Sequence, residues 1–132
     1  MEYASKGSLF HNLHAINAEP FSEKRIGEIF AKVASAVHLL HSKNIVHRDI
    51  KPENILLDSD FSPKLCDFGW SVKLRPGEQR NTFCGTYEYM APEIFDNEKY
   101  GFPVDVWSLG VLLYELHHRE APFTGKSVFQ II

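Results

Sequence analysis

Two carboxylates, an ammonium and a carboxamide stand close together near the middle of this chain. Asp49, Lys51 and Asn54 fall within His47-Arg48-Asp49-Ile50-Lys51-Pro52-Glu53-Asn54, and Asp67 opens Asp67-Phe68-Gly69. Asn54 offers an uncharged oxygen and Asp67 a charged one, a pair that suits a hard cation such as Mg2+, which prefers oxygen ligands and bridges to phosphates. A carboxylate at Asp49 with a cation two residues on has the types needed to align a hydroxyl and to neutralise charge developing on oxygens. Phosphoryl transfer asks for that combination in one small space.

Taken singly, each motif has an ordinary reading. Asp-Phe-Gly is a common turn tripeptide, and Ala91-Pro92-Glu93 is a plausible helix start. Their weight comes from order: His47–Asn54, Asp67–Gly69, Ala91–Glu93 and Asp105-Val106-Trp107-Ser108-Leu109-Gly110 follow one another with loop-sized gaps. In that order they resemble the catalytic half of a protein kinase.

The resemblance implies roles for individual residues. Asp49 would orient the substrate hydroxyl and accept its proton, and Lys51 would reach the γ-phosphate of ATP. Asn54 and Asp67 would hold Mg2+. Lys51 in Lys-Pro-Glu-Asn, together with Thr86 in Gly85-Thr86-Tyr87-Glu88-Tyr89, goes with serine and threonine rather than tyrosine substrates. Glu53 resembles a carboxylate that faces a basic residue upstream of the target hydroxyl; a merely solvated Glu53 is the alternative. Thr82, in the segment between Asp67 and Ala91, is the expected regulatory phosphosite, with Arg48 as the partner of its phosphate and Arg80 in support. At the amino terminus, Met1-Glu2-Tyr3-Ala4 resembles the hinge between kinase lobes. Backbone groups of Glu2 and Ala4 would meet the adenine, Leu56 would floor its pocket and Ser8 would reach the ribose.

Within the protein kinases the resemblance is to the Aurora kinases, carried by Asp67-Phe68-Gly69-Trp70-Ser71-Val72 and by Arg80-Asn81-Thr82-Phe83-Cys84-Gly85-Thr86. Tyr100-Gly101-Phe102-Pro103 departs from that pattern. Protein substrates bearing serine or threonine follow from the resemblance, as does a possible activating protein partner.

The elements that must position these residues are legible in part. Ser22 is placed to cap a helix running to Ser42, with Ile26, Ile29, Phe30, Val33, Val37 and Leu40 along one face. Ile45-Val46 reads as a short strand that delivers the His47–Asn54 loop. Ile55-Leu56-Leu57 and Lys64-Leu65-Cys66 read as a hairpin joined by a turn-rich link from Asp58 to Pro63, with Asn54 and Asp67 at opposite ends of the unit. Val104 to Leu116 is too short to cross a bilayer and reads as a buried central helix. The expected fold class is α+β: a mainly helical kinase C-lobe with small β-hairpins and no N-lobe.

No Gly-rich phosphate loop, strand lysine or partnering helix glutamate of a complete kinase stands in these residues, and the arginine that the resemblance would pair with Glu93 is expected beyond Ile132. Residues 1–132 are therefore expected to be a partial catalytic domain, hinge plus C-lobe, belonging to a longer kinase and inactive alone. The alternative is a silent, kinase-derived binding module; intact Asp49, Lys51, Asn54 and Asp67 argue against it. The chain has 132 residues, 44% of them apolar, and a net charge of −3, which argues against a nucleic-acid footprint. No repeat, signal peptide or membrane span is evident, so a cytoplasmic or nuclear location away from membranes is expected. Cys66 and Cys84 are too few for a disulfide scaffold, and Cys66 is expected to be a buried small hydrophobe. His38 and His41 share a helix face without an acidic or cysteine partner in sequence, so a structural role is expected for them.

Overall fold

The computed structural model describes residues 4–131. Its order is α1 (Leu9–His14), α2 (Glu23–Ser42), β1 (Ile45–Val46), β2 (Ile55–Leu57), β3 (Pro63–Leu65), β4 (Val72–Lys73), α3 (Pro92–Phe95), α4 (Pro103–His118) and α5 (Val128–Ile131), with 3-10 turns at Pro52–Asn54 and Tyr87–Tyr89. This is the α+β, mainly helical architecture expected from the sequence. α2 begins where the Ser22 side chain accepts the amide of Arg25 at 3.2 Å, which satisfies one of the donors that a helix start leaves open. Ile26, Ile29, Val33 and Val37 are buried along one face, whereas Phe30 and Leu40 at its margins are only partly covered.

That face meets α4, α1 and the β2–β3 hairpin in the main core, where Leu9, Leu13, Ile55, Leu57, Leu112 and Leu116 are essentially inaccessible. Burying a side chain of this size contributes roughly 2 kcal/mol. A smaller core of Val46, Leu74, Met90, Ile94, Tyr100 and Val104 lies under the segment between Asp67 and α4.

The sheets are two antiparallel pairs. β2 pairs with β3 in the register Ile55↔Leu65 and Leu57↔Pro63, one residue earlier on the second strand than the sequence suggests. Asp58 closes the link, its Oδ1 accepting the amides of Asp60 and Ser62 at 2.9 Å each, so Pro63 already lies in the strand, at the first position, where a missing N–H is tolerated. Antiparallel pairing also corrects the placement of the metal-ligand candidates. The Cys66 amide donates to the Asn54 carbonyl at 2.9 Å, so Asn54 and Asp67 flank the same open end of the hairpin, not opposite ends. β1 pairs with β4 (Val46↔Val72), a strand not foreseen from the sequence. This pairing returns the chain after Asp67 to the strand that enters the His47–Asn54 loop.

α4, expected as a buried central helix, is buried along one side only. Val104, Asp105, Ser108, Leu109, Val111, Leu112, Glu115 and Leu116 are buried, but Val106, Trp107 and Tyr114 on its other side are exposed. Asp105 sits in its first turn, fully buried. Its Oδ2 accepts the His47 amide at 2.9 Å and faces His41 Nε2 at 2.8 Å, and its Oδ1 accepts the Arg48 amide at 2.9 Å. The central helix thereby grips the backbone of the loop that carries Asp49.

The segment leading to Ala91 packs on the same loop at Gly85. Its φ is 111°, and a Cβ there would lie 3.0 Å from the Arg48 carbonyl oxygen and 3.3 Å from Met90 Cγ. Backbone strain and a backbone collision add up, so Gly85→Ala is expected to cost about 1–3 kcal/mol, read as a lowered midpoint of urea unfolding. An unchanged midpoint would mean that the segment does not rest on the loop.

Candidate active site

Asp49 is 7% exposed and its carboxylate is held from three sides. Asn54 Nδ2 donates to Oδ2 at 3.0 Å and to the Asp49 carbonyl at 2.8 Å; the Thr86 hydroxyl donates to Oδ1 at 3.1 Å; Lys51 Nζ stands 3.7 Å from Oδ2. Lys51 also donates to Thr86 Oγ1 at 2.7 Å. Asp49, Lys51 and Thr86 thus form one closed polar unit, although Thr86 lies 37 residues beyond Asp49. A carboxylate so restrained presents a fixed face to whatever enters the site.

Because the Asn54 amide nitrogen is committed to Asp49, the side-chain oxygen is the atom left for a cation. Asp67 follows β3 at φ 55° and is exposed; its Oδ1 accepts the Gly69 amide at 3.3 Å. Arg48, at φ 70°, is also left-handed. Non-glycine residues held in this region are sparse and cluster where surrounding contacts over-determine them.

His47 ties the two halves of the site together. Fully buried, its ring accepts the Asp49 amide at Nδ1 (3.2 Å), which leaves Nε2–H to donate to the Cys66 carbonyl at 3.0 Å. The Phe68 ring meets it edge-on at 5.1 Å. Cys66 is only partly covered, not buried as expected, and its Sγ donates to the Asn54 carbonyl at 3.2 Å. Burial, and then the charge of Asp67, push its thiol pKa up, so it stays protonated and a donor at neutral pH.

Other candidate residues fall as follows. Ser8 caps α1, its Oγ accepting the His11 amide at 3.0 Å. Leu56 lies on the face of β2 opposite buried Ile55 and Leu57 and is half-covered. The Ala4 carbonyl accepts the Gly7 amide at 3.3 Å; Glu2 lies outside the described residues. Glu53 is exposed. Thr82 is exposed, and its carbonyl accepts the Tyr100 hydroxyl at 2.7 Å. Arg48 donates from Nε to the Trp70 carbonyl at 2.6 Å and from Nη1 to the Tyr100 hydroxyl at 2.9 Å. Arg80 is engaged by Glu78 at 3.1 Å.

Sequence reasoning missed Asp105, His41 and Tyr100 as positioning residues. It also missed a buried cluster in which Glu115 accepts the Tyr89 hydroxyl and faces His14 Nε2 at 2.8 Å. Burial first, and then the bond to Glu115, push the Tyr89 phenol far above its ordinary range. Among the described residues no group of three or more His, Cys, Asp and Glu is arranged to hold a metal, and no helix is long and apolar enough to cross a membrane.

The protein kinase domain family matches residues 1–132. The chain is 44% identical, over its whole length, to Developmentally-regulated protein kinase 1 of Dictyostelium discoideum, covering 20% of that protein. It is 42% identical to an Aurora kinase of Candida glabrata and 44% identical to one of Schizosaccharomyces pombe, in each case over 96% of this chain and 35% of the relative. The chain thus spans between a fifth and about a third of the length of these curated relatives. With its carboxylate, lysine and asparagine locked together beside the metal-ligand candidates, and with the kinase domain matching from end to end, the chain belongs to the protein kinase family and resembles the Aurora kinases.

Proposed function

We propose that these residues carry the hydroxyl-activating and metal-binding part of a kinase that transfers the γ-phosphoryl group of ATP to serine or threonine in protein substrates, in the cytoplasm or nucleus. The observation that carries this reading is the closed unit of Asp49, Lys51, Asn54 and Thr86. Asp49 aligns the incoming hydroxyl and takes its proton as the oxygen attacks. Lys51, 22% exposed at its side chain, places an ammonium where the transferred group's oxygens gather charge. Thr86 holds both, which ties the segment before Ala91 to the reacting groups and supports specificity for aliphatic hydroxyls.

The donor set fits Mg2+: a neutral oxygen from Asn54 and an anionic one from Asp67, at one end of a rigid hairpin and with no soft ligand. Bound there, the ion would supply positive charge to the phosphate oxygens. Leu56 and the backbone of Glu2 and Ala4 would receive the adenine, with Ser8 toward the ribose. Exposed Glu53 is offered to a basic residue upstream of the target hydroxyl, which kinetics on serine peptides with and without an upstream arginine would read. The Aurora resemblance supports an activating protein partner, detectable as a factor that raises kcat without phosphorylation.

In the full-length protein, Asp67→Asn removes the anionic ligand while keeping shape, and kcat is expected to fall at least about a hundredfold. Near-normal kcat at saturating Mg2+ would remove Asp67 from the metal site. Exposed Thr82 is proposed as the activating phosphosite, its phosphate drawing Arg48 into a charge-assisted pair. Treatment with an activating kinase is expected to raise the activity of the parent about tenfold or more and to leave Thr82→Ala at its starting level; equal activation of both would place the switch elsewhere.

A further inference from the structure

Buried Tyr100 already joins the two groups that a phosphate on Thr82 would join. Its hydroxyl accepts from Arg48 Nη1 at 2.9 Å and donates to the Thr82 carbonyl at 2.7 Å. The residue is 3% exposed and packs with Val46, Leu74, Met90 and Val104 in the smaller core. Its backbone exchanges both hydrogen bonds with Arg80, at 2.9 and 2.7 Å. The phenol is therefore anchored from behind and cannot swing out. Desolvation raises its pKa, against the lowering pull of Arg48, so the hydroxyl keeps the proton it donates to Thr82.

Arg48 matters because its own backbone leads directly into Asp49. At φ 70° it is held in a sparse conformation, and a guanidinium without partners would remove one of the restraints that keep it there. Its side-chain partners among the described residues are neutral oxygens, the Trp70 carbonyl and the Tyr100 hydroxyl. A phenol is a weaker acceptor than a doubly charged phosphate, yet it is permanently in place.

We propose that Tyr100 is a positioning residue that keeps Arg48 docked on the Thr82 segment when Thr82 carries no phosphate, giving the kinase a basal activity independent of phosphorylation. The proposal rests on the reading of Thr82 and Arg48 given above. Phosphate on Thr82 then strengthens a contact that already exists rather than creating it, and the restraint from Tyr100 becomes redundant.

The test uses the full-length protein and the variant Tyr100→Phe, which keeps the ring in the core and deletes only the hydroxyl. In the dephosphorylated state kcat is expected to fall about tenfold, the scale set by one hydrogen bond to a charged group, with KM for ATP unchanged. In the Thr82-phosphorylated state the variant and parent are expected to agree within about twofold. Equal losses in both states would mark a merely structural role and overturn the proposal. So would an unchanged dephosphorylated variant, a loss confined to KM, or a parent with no measurable activity before phosphorylation. Failure of the Thr82 reading looks different: phosphorylated and dephosphorylated parent would then be equally active, while the loss in dephosphorylated Tyr100→Phe would still read the Tyr100 contact.

Discussion

A buried carboxylate in the first turn of the central helix holds the rest of this site in place. Asp105 is fully inaccessible, a position in which an unpaired charge would cost several kcal/mol. It is stabilised by two consecutive backbone amides, by a histidine, and by the positive end of the helix on which it sits. The same contacts run in the other direction. Without Asp105 the amides of His47 and Arg48 would be donors buried beside an apolar core, and the left-handed turn at Arg48 would lose its main justification.

From that grip the geometry propagates by short steps. The loop backbone sets Asp49; Asp49 and Asn54 fix each other; Asn54 opens the hairpin whose other strand leads into Cys66, beside Asp67. The His47 ring spans the same gap independently, from the Asp49 amide to the Cys66 carbonyl. Two routes through the structure therefore set the relation of Asp49 to the Asp67 end of the hairpin. The Thr86 and Tyr100 contacts add the third side, the segment between Asp67 and Ala91, which closes over Asp49 and Arg48.

How much of this the sequence carried depended on whether the signal was local. α2 was legible because its apolar face repeats over about four turns, from Ile26 to Leu40, and Ser22 marks its start. The hairpin was legible from its turn residues, but its geometry was misjudged because distance along the chain was taken for distance in space, and antiparallel pairing folds the two ends together. α1 has six residues and β4 two, too short for any period to show. In α4 apolar residues fall on every side and Asp105, Ser108 and Glu115 lie on the buried one, so the pattern could not say which side would be left exposed. The site residues themselves were legible as motif members. Asp105, His41 and Tyr100 were not, as positioning groups, because each acts through contacts some fifty or more residues away.

Backbone amide exchange in the parent and in Asp105→Asn tests the grip most directly. The carboxamide keeps size and one acceptor but turns an NH2 toward one of the two loop amides. Exchange at His47 or Arg48 should accelerate about tenfold or more, the equivalent of one charge-assisted bond, while amides in the middle of α2, such as Ile29 and Val33, keep their protection. Unaltered exchange at both His47 and Arg48 would contradict the claim that Asp105 holds the catalytic loop.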